Sequence, residues 1–385
     1  MTVWLLEIRS MNKKAVSSTV ADCFPSGCKE AARVMSHKSL PSLIVLSDVK
    51  MPWFGARTGY ERLAETLSPL VDARLIGPCN GFLNRCAGRT ASLVMRHDRN
   101  NSALSGNRIR AASAMLLTRR PIHILYGEAH LPEWSDYSRK VCERTILTLH
   151  QPLSWWSPER LKSLQFFCNV ILLSSQEESL FARHIKNGGR LGVIRHGVDT
   201  QFFQPGIPSD PPSLLYSGVH LRNVGMFTRV ARCLMLNHPE IRIDALVPAS
   251  RRTGPHFEIL NSLPNIRWQE GLNDESLKSL YQRSYIMLLP MDDSSANTSV
   301  VEALACGLPI ATTDVGGIRD YGGGSIYPVV DNNDDGAMIG LIERYLSSPK
   351  FRNSTGKACR EFAVRELNWE RIAAEHASFY QEVWG

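Results

Sequence analysis

The residues of this chain best suited to hold an anion follow a short apolar run, residues 286–290, that ends at a proline. A polar loop over residues 292–297 comes next, and residues 299–306 are typical of one compact helix. Asn297 or Thr298 is a suitable N-cap for that helix. A strand, a polar loop and a helix in this order gather unpaired backbone N–H groups and the positive end of a helix dipole. We therefore predict a phosphate site at the start of this helix.

Glu302 adds a carboxylate to the predicted site. It falls four residues after Thr298, so the two side chains share one helix face, one turn apart. A carboxylate in that place can accept hydrogen bonds from two ribose hydroxyls while the helix start holds a diphosphate. The alternative is an ordinary strand–loop–helix unit in which Glu302 is solvated, and the pattern alone leaves both open.

The chain after this helix predicts a sharp return into a second strand. Gly307 stands where a helix ends, and Pro309 forbids its continuation. Residues 309–313 contain apolar and β-branched residues, which predict a strand. Gly316 and Gly317 then allow a tight turn close to a ligand.

The segment 302–318, EALACGLPIATTDVGGI, resembles the signature of the retaining glycosyltransferases of family 4, also called glycosyl transferases group 1. That signature has a first Glu, seven residues and a second Glu, which Glu302 matches. The first Glu would stand at position 294, where this chain has Ser294. The resemblance implies the GT-B fold: an α/β protein with two Rossmann-like, doubly wound parallel-sheet domains facing a central cleft. It also implies transfer of a sugar from a nucleotide-diphosphate sugar to an acceptor, with retention of configuration.

The alternating strand and helix patterns predict five segments along the 385 residues. Residues 1–34 lack periodicity and form an N-terminal extension, and 35–203 form a Rossmann-like domain, which by the resemblance binds the acceptor. Residues 204–213, QPGIPSDPPS, are a linker because they contain four prolines. Residues 214–366 form a second Rossmann-like domain, which by the resemblance binds the nucleotide sugar. Residues 367–385 form a last helix that, by the resemblance, crosses back to the first domain; packing within the second domain alone is the alternative.

Composition and charge limit the kinds of binding partner and the cellular compartment that we expect. The formal net charge is +7 and the pI about 9.0, which suits an anionic partner or serves solubility alone. We expect a nucleotide-diphosphate sugar and no nucleic acid. The nine cysteines include no CxxC pair, which argues against a zinc site or disulfide framework and for a reducing compartment. No apolar run approaches the roughly 20 residues of a spanning helix. We expect a cytoplasmic monomer or homodimer.

A basic stretch in the first domain is a candidate for contact with an acceptor or a membrane. Residues 108–120 place arginines on both sides of an alanine- and leucine-rich segment. Such a helix can lie on the inner membrane face or bind an anionic acceptor, a glycan or a lipid-linked molecule. The alternative is a surface helix whose arginines extend to water.

In the first domain, Gly55 and Arg57 follow the strand predicted at residues 43–46. This loop lacks the GxGxxG spacing of a dinucleotide fingerprint. The resemblance implies that it approaches the donor diphosphate. Glu128 and His150 follow two further predicted strands, at the strand ends that line a ligand crevice. His150 resembles the family's histidine that reaches the donor sugar.

In the second domain, the loop 217–225, SGVHLRNVG, departs from the family's pattern of an Arg and a Lys. His220 stands at the usual arginine position and the Lys is absent. Arg222 is the strong cation of the loop and can clamp a phosphate with two N–H groups. Gly271 and Leu272 resemble the turn that packs against the nucleotide base.

Two local patterns elsewhere predict structural roles. Ser175 followed by Glu178 predicts a capping box at a helix start. Gly197 permits a turn before the interdomain crossing, and Asp199 can hold that turn by side-chain hydrogen bonds.

The predicted catalytic residues are Arg222, His150 and Glu302. The predicted donor-binding residues are Gly55, Arg57, Gly271, Leu272, Ser294, Asn297, Thr298, Ser299 and Glu302. We expect no cofactor and no metal, because Arg222 and the helix start neutralise the leaving group and the sequence has no DxD motif. Two alternatives remain: a GT-B isomerase or phosphorylase, such as a nucleotide-sugar epimerase, and a catalytically weak nucleotide-sugar-binding protein. Ser294 and the missing Lys motivate the second.

Overall fold

The structure, a computed structural model, describes residues 42–47, 57–77, 119–129, 142–185 and 188–385, and single residues between 82 and 117. Gly55, the segment 1–34 and most of the basic stretch 108–120 lie outside these residues. In the part of the chain that is described, no helix is long and apolar enough to cross a membrane.

Six parallel strands form the first sheet. They are β1 (Leu43–Leu46), β2 (Ala73–Ile76), β3 (Ile122–Ile124), β4 (Thr145–Leu149), β5 (Asn169–Leu172) and β6 (Arg190–Val193). Their spatial order is β2-β1-β3-β4-β5-β6. Every residue of β1, β3, β4 and β5 is buried, as expected for strands covered on both faces.

The described helices of this half are α1 (Arg62–Leu67), α2 (Pro158–Leu164) and α3 (Glu178–Ala182). Pro158 opens α2, and the Ser157 hydroxyl oxygen accepts the Arg160 N–H. The capping box predicted at Ser175 is wrong, because α3 has no side-chain cap. The Ser175 hydroxyl instead donates to Asp320 in the second half of the chain, at 2.8 Å.

Six more parallel strands form the second sheet. They are β7 (Ser213–Ser217), β8 (Arg242–Leu246), β9 (Ile266–Gln269), β10 (Ile286–Leu289), β11 (Ile310–Thr313) and β12 (Val329–Val330). Their spatial order is β12-β11-β10-β7-β8-β9. The chain therefore winds outward in both directions from the pair β7 and β10, which is the switch point where α/β folds bind ligands.

Helices cover both faces of the second sheet. They are α4 (Val224–Asn237), α5 (Pro255–Ser262), α6 (Asp274–Arg283), α7 (Thr298–Ala305), α8 (Asp335–Ser347) and α9 (Pro349–Glu366). The helix predicted at residues 299–306 is α7, displaced by one residue toward the N-terminus.

The last helix, α10 (Trp369–Trp384), packs against the first sheet. Its residues Ile372 and Phe379 share an apolar cluster with Leu43 and Val45 of β1. Its His376 lies with Nε2 2.9 Å from the Tyr60 hydroxyl. The chain therefore returns to its first half after completing the second sheet.

The packing of α10 on the first half requires a glycine at position 197, but not for the turn that the sequence predicted. The φ of Gly197 is not positive, and a Cβ at this position would lie 2.4 Å from Cε3 of the Trp369 ring. Glycine is therefore required by the close approach of α10. Asp199 does hold the following turn, since its Oδ1 accepts the Phe202 N–H at 3.0 Å.

We predict that Gly197→Ala destabilises the protein by about 1–3 kcal/mol, because the added methyl group displaces the Trp369 ring. Gly340→Ala is the matched control. Gly340 lies inside α8, and a Cβ there meets no atom within 4 Å. Urea unfolding followed by tryptophan fluorescence measures both changes. Equal unfolding midpoints for the two variants would contradict the close contact.

Candidate active site at the switch point

The loops that follow β7 and β10 are joined by backbone hydrogen bonds. The Asn223 N–H donates to the Pro290 carbonyl, and the Asp292 N–H donates to the Leu221 carbonyl, both at 3.0 Å. The two strands are parallel neighbours, so their carboxyl ends meet at one edge of the sheet. The loop carrying Arg222 is thereby fixed against the loop that leads into α7.

Asn297 caps the start of α7 and orients it toward the loop after β7. Its side-chain oxygen accepts the Ser299 N–H at 3.0 Å, and Thr298 is the first helical residue. Of the two N-caps that the sequence allowed, Asn297 is therefore the one used. The Ser299 hydroxyl lies 2.9 Å from that of Ser217, at the end of β7.

Glu302 is buried and only 4% exposed, which excludes the solvated alternative. The Tyr281 hydroxyl of α6 donates to its Oε2 at 2.8 Å. Its Oε1 is also buried and has no hydrogen-bond partner among the described residues. Burial raises the pKa of Glu302 to about 8. An unpaired buried oxygen is costly, so this oxygen is suited to a ligand donor.

Arg222 lies beside the start of α7 with its charge unpaired by a carboxylate, as far as the described residues extend. Its Nε donates to the Ser217 carbonyl at 2.9 Å and its Nη1 to the His220 carbonyl at 2.9 Å. Its Nη2 donates to the Asn297 side-chain oxygen at 3.2 Å. Burial lowers the pKa of Arg222, which reflects the cost of holding this charge away from water. A bound anion would offset that cost.

The buried Ser294 lies in a loop held by close backbone contact with the turn after β11. Its carbonyl accepts the Gly317 N–H at 2.6 Å, and a Cβ at Gly316 would lie 2.1 Å from the same oxygen. The neighbouring Asp293 accepts the Ser294 N–H through Oδ1 at 2.7 Å. Its Oδ2 accepts the Ser154 hydroxyl of the first half at 2.5 Å. The glycine pair predicted from the sequence therefore serves backbone packing at this edge.

His150 lies at the end of β4 and is neutral. Burial, and then the neighbouring His196, lower its pKa to about 3. Its Nε2 is 2.7 Å from the Leu125 carbonyl, which can only accept, so Nε2 carries the proton. Nδ1 remains as an acceptor. The backbone N–H of His150 donates to Glu128, whose own pKa is raised to about 7 by burial.

The loop containing His150 reaches the second half of the molecule through two side-chain contacts. Gln151 Oε1 lies 2.7 Å from Nε2 of His220, and Ser154 bonds Asp293. His220, at the position where the family pattern has an arginine, therefore contacts the first half of the chain. The loops after β4, β7 and β10 therefore contact one another.

The other predicted donor-binding residues make different contacts. Arg57 pairs with Asp199 at 3.2 Å and is 47% exposed. Gly271 is exposed, with φ at +65°, and Leu272 is partly buried against the apolar cluster under α7. Arg222, Ser294, Asn297, Thr298, Ser299 and Glu302 are the predicted residues that come together at the switch point.

The sequence did not identify Tyr281 or Ser217 as site residues. A buried tyrosine hydroxyl normally has a hydrogen-bond partner. Applied to Tyr281 of α6, this rule could have indicated from the sequence that its hydroxyl bonds a buried group such as Glu302. Nothing in the sequence pattern pairs Ser217 with Ser299.

Residues 198–362 match the protein family described as Glycosyl transferases group 1. Three curated relatives are similar over part of the chain. The MMP alpha-(1->4)-mannosyltransferase of Mycolicibacterium hassiacum is 26% identical over 202 residues, 50% of this chain and 48% of that protein. The alpha-maltose-1-phosphate synthase of Mycolicibacterium smegmatis is 23% identical, covering 62% and 73%. The D-inositol 3-phosphate glycosyltransferase of Saccharomonospora viridis is 24% identical, covering 49% and 49%. The chain spans about half the length of the first and third.

Solved structures resemble nearly the whole chain. The sucrose-phosphate synthase of Thermosynechococcus elongatus has a TM-score of 0.67 at 18% identity, covering 89% of this chain and 98% of that one. Anabaena HepE, solved in complex with UDP-glucose, has a TM-score of 0.65 at 12% identity, covering 88% and 99%. With the two parallel sheets, these likenesses confirm the predicted GT-B fold.

The burial of Glu302 predicts a pH dependence of stability. Its folded-state pKa of about 8 lies above the unfolded value of 4.5, so the unfolded chain loses this proton first as pH rises. The stability that protonated Glu302 contributes is full below pH 4.5 and is lost as pH rises to 8. Wild type should therefore lose up to about 1.4 kcal/mol per pH unit relative to Glu302→Gln. Urea unfolding between pH 5 and 8 measures this, and parallel pH profiles would refute it.

Proposed function

We propose that this protein is a glycosyltransferase that moves a sugar from a nucleotide-diphosphate sugar to an acceptor. The observation that carries the proposal is the buried, unpaired Oε1 of Glu302 beside a helix start and an arginine that lacks a carboxylate partner among the described residues. Such a site combines a hydroxyl acceptor with two sources of positive charge. The similarity to glycosyltransferases over residues 198–362 supports the same activity.

In this proposal the donor lies across the switch point. The ribose hydroxyls donate to Glu302, and the diphosphate lies at the N–H groups that open α7. Arg222 is already held beside Asn297 at 3.2 Å, so its guanidinium needs little rearrangement to meet the phosphate. Gly271 and Leu272 border the space for the base. UDP sugars are the first donors to test, since the related HepE was solved with UDP-glucose.

The chemistry depends on stabilising the departing diphosphate, which is usually the largest catalytic contribution in such a site. Arg222 and the start of α7 supply that stabilisation, so the reaction needs no metal. Neutral His150 presents Nδ1 as a hydrogen-bond acceptor for a sugar hydroxyl. We propose retention by front-face attack, in which the departing phosphate takes the acceptor's proton. The acceptor is a glycan, a lipid-linked molecule or a small molecule.

Ser294 bears on donor choice. A serine can bond one sugar hydroxyl but carries no charge, and a lost charge-assisted bond costs on the order of 1.5–3 kcal/mol. That cost is enough to change donor preference or slow turnover, and too small to abolish transfer. The residue before Ser294 in the sequence, Asp293, has a carboxylate, and this carboxylate accepts a hydrogen bond from Ser154.

We predict that Glu302→Ala abolishes binding of nucleotide sugars, because it removes the acceptor for the ribose hydroxyls. A panel of UDP-, GDP- and ADP-sugars, scored by calorimetry and by slow donor hydrolysis, measures binding and turnover. Glu258→Ala, an exposed carboxylate in α5, is the matched control. A fully active Glu302→Ala variant would refute the site. Wild-type binding without hydrolysis or transfer would favour the weak binding protein over the enzyme.

We predict that Arg222→Gln lowers kcat about a hundredfold or more, because it removes charge stabilisation of the leaving group. The KM for the donor should change less, since this stabilisation grows as the bond to the phosphate breaks. Arg232→Gln, an exposed arginine of α4, controls for the loss of charge. Steady-state kinetics with the donor found in the panel separates the two parameters. An unchanged kcat would exclude Arg222 from catalysis.

A further inference from the structure

A cavity of about 400 Å³ lies at the opposite end of α7 from the proposed donor site. Cys306 and Gly307, which end α7, line one side, and Arg352 and Arg360 of α9 line another. The cavity is separated from the start of α7 by the eight residues of that helix, about 12 Å. Its volume is within the range of small-molecule sites, which is about 300–1,000 Å³.

The two arginines of this cavity have no carboxylate within ion-pair distance, as judged over the described residues. Arg352 donates from Nε to the Tyr285 carbonyl at 3.1 Å and from Nη1 to Asn353 at 2.9 Å. Arg360 donates from Nη1 to the carbonyls of Phe203 and Ala305, both at 2.7 Å, and from Nη2 to the Thr200 carbonyl at 3.0 Å. Each guanidinium is thus fixed in place while N–H groups remain for a ligand.

The remaining charges of the cavity leave it positive. Lys357 is a third cation, and Glu361, 3.8 Å from it, is the one carboxylate in the lining. The carbonyls that end α7 carry a partial negative charge, and Arg360 already binds one of them at Ala305. Three positive charges therefore face one negative charge.

The first turn of α9 is a separate indication that an anion binds here. This 18-residue helix has no acidic residue in its first turn, and Arg352 stands at the end of that turn. A helix start carries about half a positive charge, so cations in that turn are unfavourable unless an anion lies nearby. Arg352 projects from this turn into the cavity wall. The charge of the helix start and that of the side chain therefore add.

We propose that this cavity binds the phosphate group of a small molecule. Arg352 and Arg360 clamp the phosphate oxygens, and Lys357 adds a point charge at the rim. The polar side chains of Gln282, Ser284 and Asn353 line the rest of the space and suit the hydroxyls of a sugar phosphate. Tyr281 also lines the cavity while its hydroxyl bonds Glu302, so the ligand lies directly behind the donor site.

Calorimetric titration of the full chain with inorganic phosphate, glucose 6-phosphate and glucose tests this proposal. We expect both phosphates to bind one per chain in Arg222→Gln, where the donor-site cation is removed, and glucose not to bind. Tighter binding of glucose 6-phosphate assigns the site to a sugar ester, and equal binding assigns it to free phosphate. Arg352→Gln should weaken binding about tenfold or more, because it removes a charge-assisted contact. Lys357→Gln should weaken binding less, and it should leave the fold intact because the Lys357 side chain is exposed.

Lys350→Gln is the matched control, since it removes a charge from the same turn without lining the cavity. It should leave the affinity near that of wild type. Absence of binding at millimolar phosphate would overturn the proposal. So would binding that survives Arg352→Gln and Lys357→Gln but is lost in Arg222→Gln, because the anion would then occupy the donor site. Glu302→Ala should retain phosphate binding, so failure of the donor site and failure of this cavity give different results.

Discussion

Parallel pairing of β7 with β10 is the constraint on which the rest of the site depends. The two strands are about seventy residues apart in the chain, yet Ile286 pairs with Leu214 in register. Their following loops are then locked by backbone hydrogen bonds at Pro290 and Leu221. Arg222 can reach Asn297 only because of this locking. A sheet built in any other order would separate the cation from the helix start.

A second constraint joins the two halves of the molecule. The Tyr321 hydroxyl donates to the Leu173 carbonyl and accepts the His196 N–H, both at 2.8 Å. Asp320 beside it accepts hydrogen bonds from Ser175. These contacts lie at the turn that Gly316 and Gly317 make possible, so one glycine pair serves both the loop at Ser294 and the joint with the first half. The helix α10 strengthens that joint by packing on the first sheet.

Much of this architecture could be predicted from the sequence because it depends on local rules. The strand at 43–46 was predicted to the residue and the helix at 299–306 to within one residue, since an apolar run and a capped helix start have few alternatives. The capping box at Ser175 failed for the opposite reason. The pattern assigned the Ser175 hydroxyl to a cap of its own helix. In the structure this hydroxyl donates to Asp320, which is distant in the sequence. Gly197 likewise fits a turn by pattern but serves the ring of Trp369.

The sequence by itself determined the elements, their alternation and the position of a carboxylate one turn into a helix. It could not determine whether Glu302 is solvated or buried, because burial depends on what α6 places above it. Only the tertiary structure decided that Tyr281 occupies one oxygen and leaves the other unpaired. It also decided that Arg57 is engaged by Asp199 while Arg222 remains without a carboxylate among the described residues. Charge pairing is a matter of distance in space, and a linear pattern contains only distance along the chain.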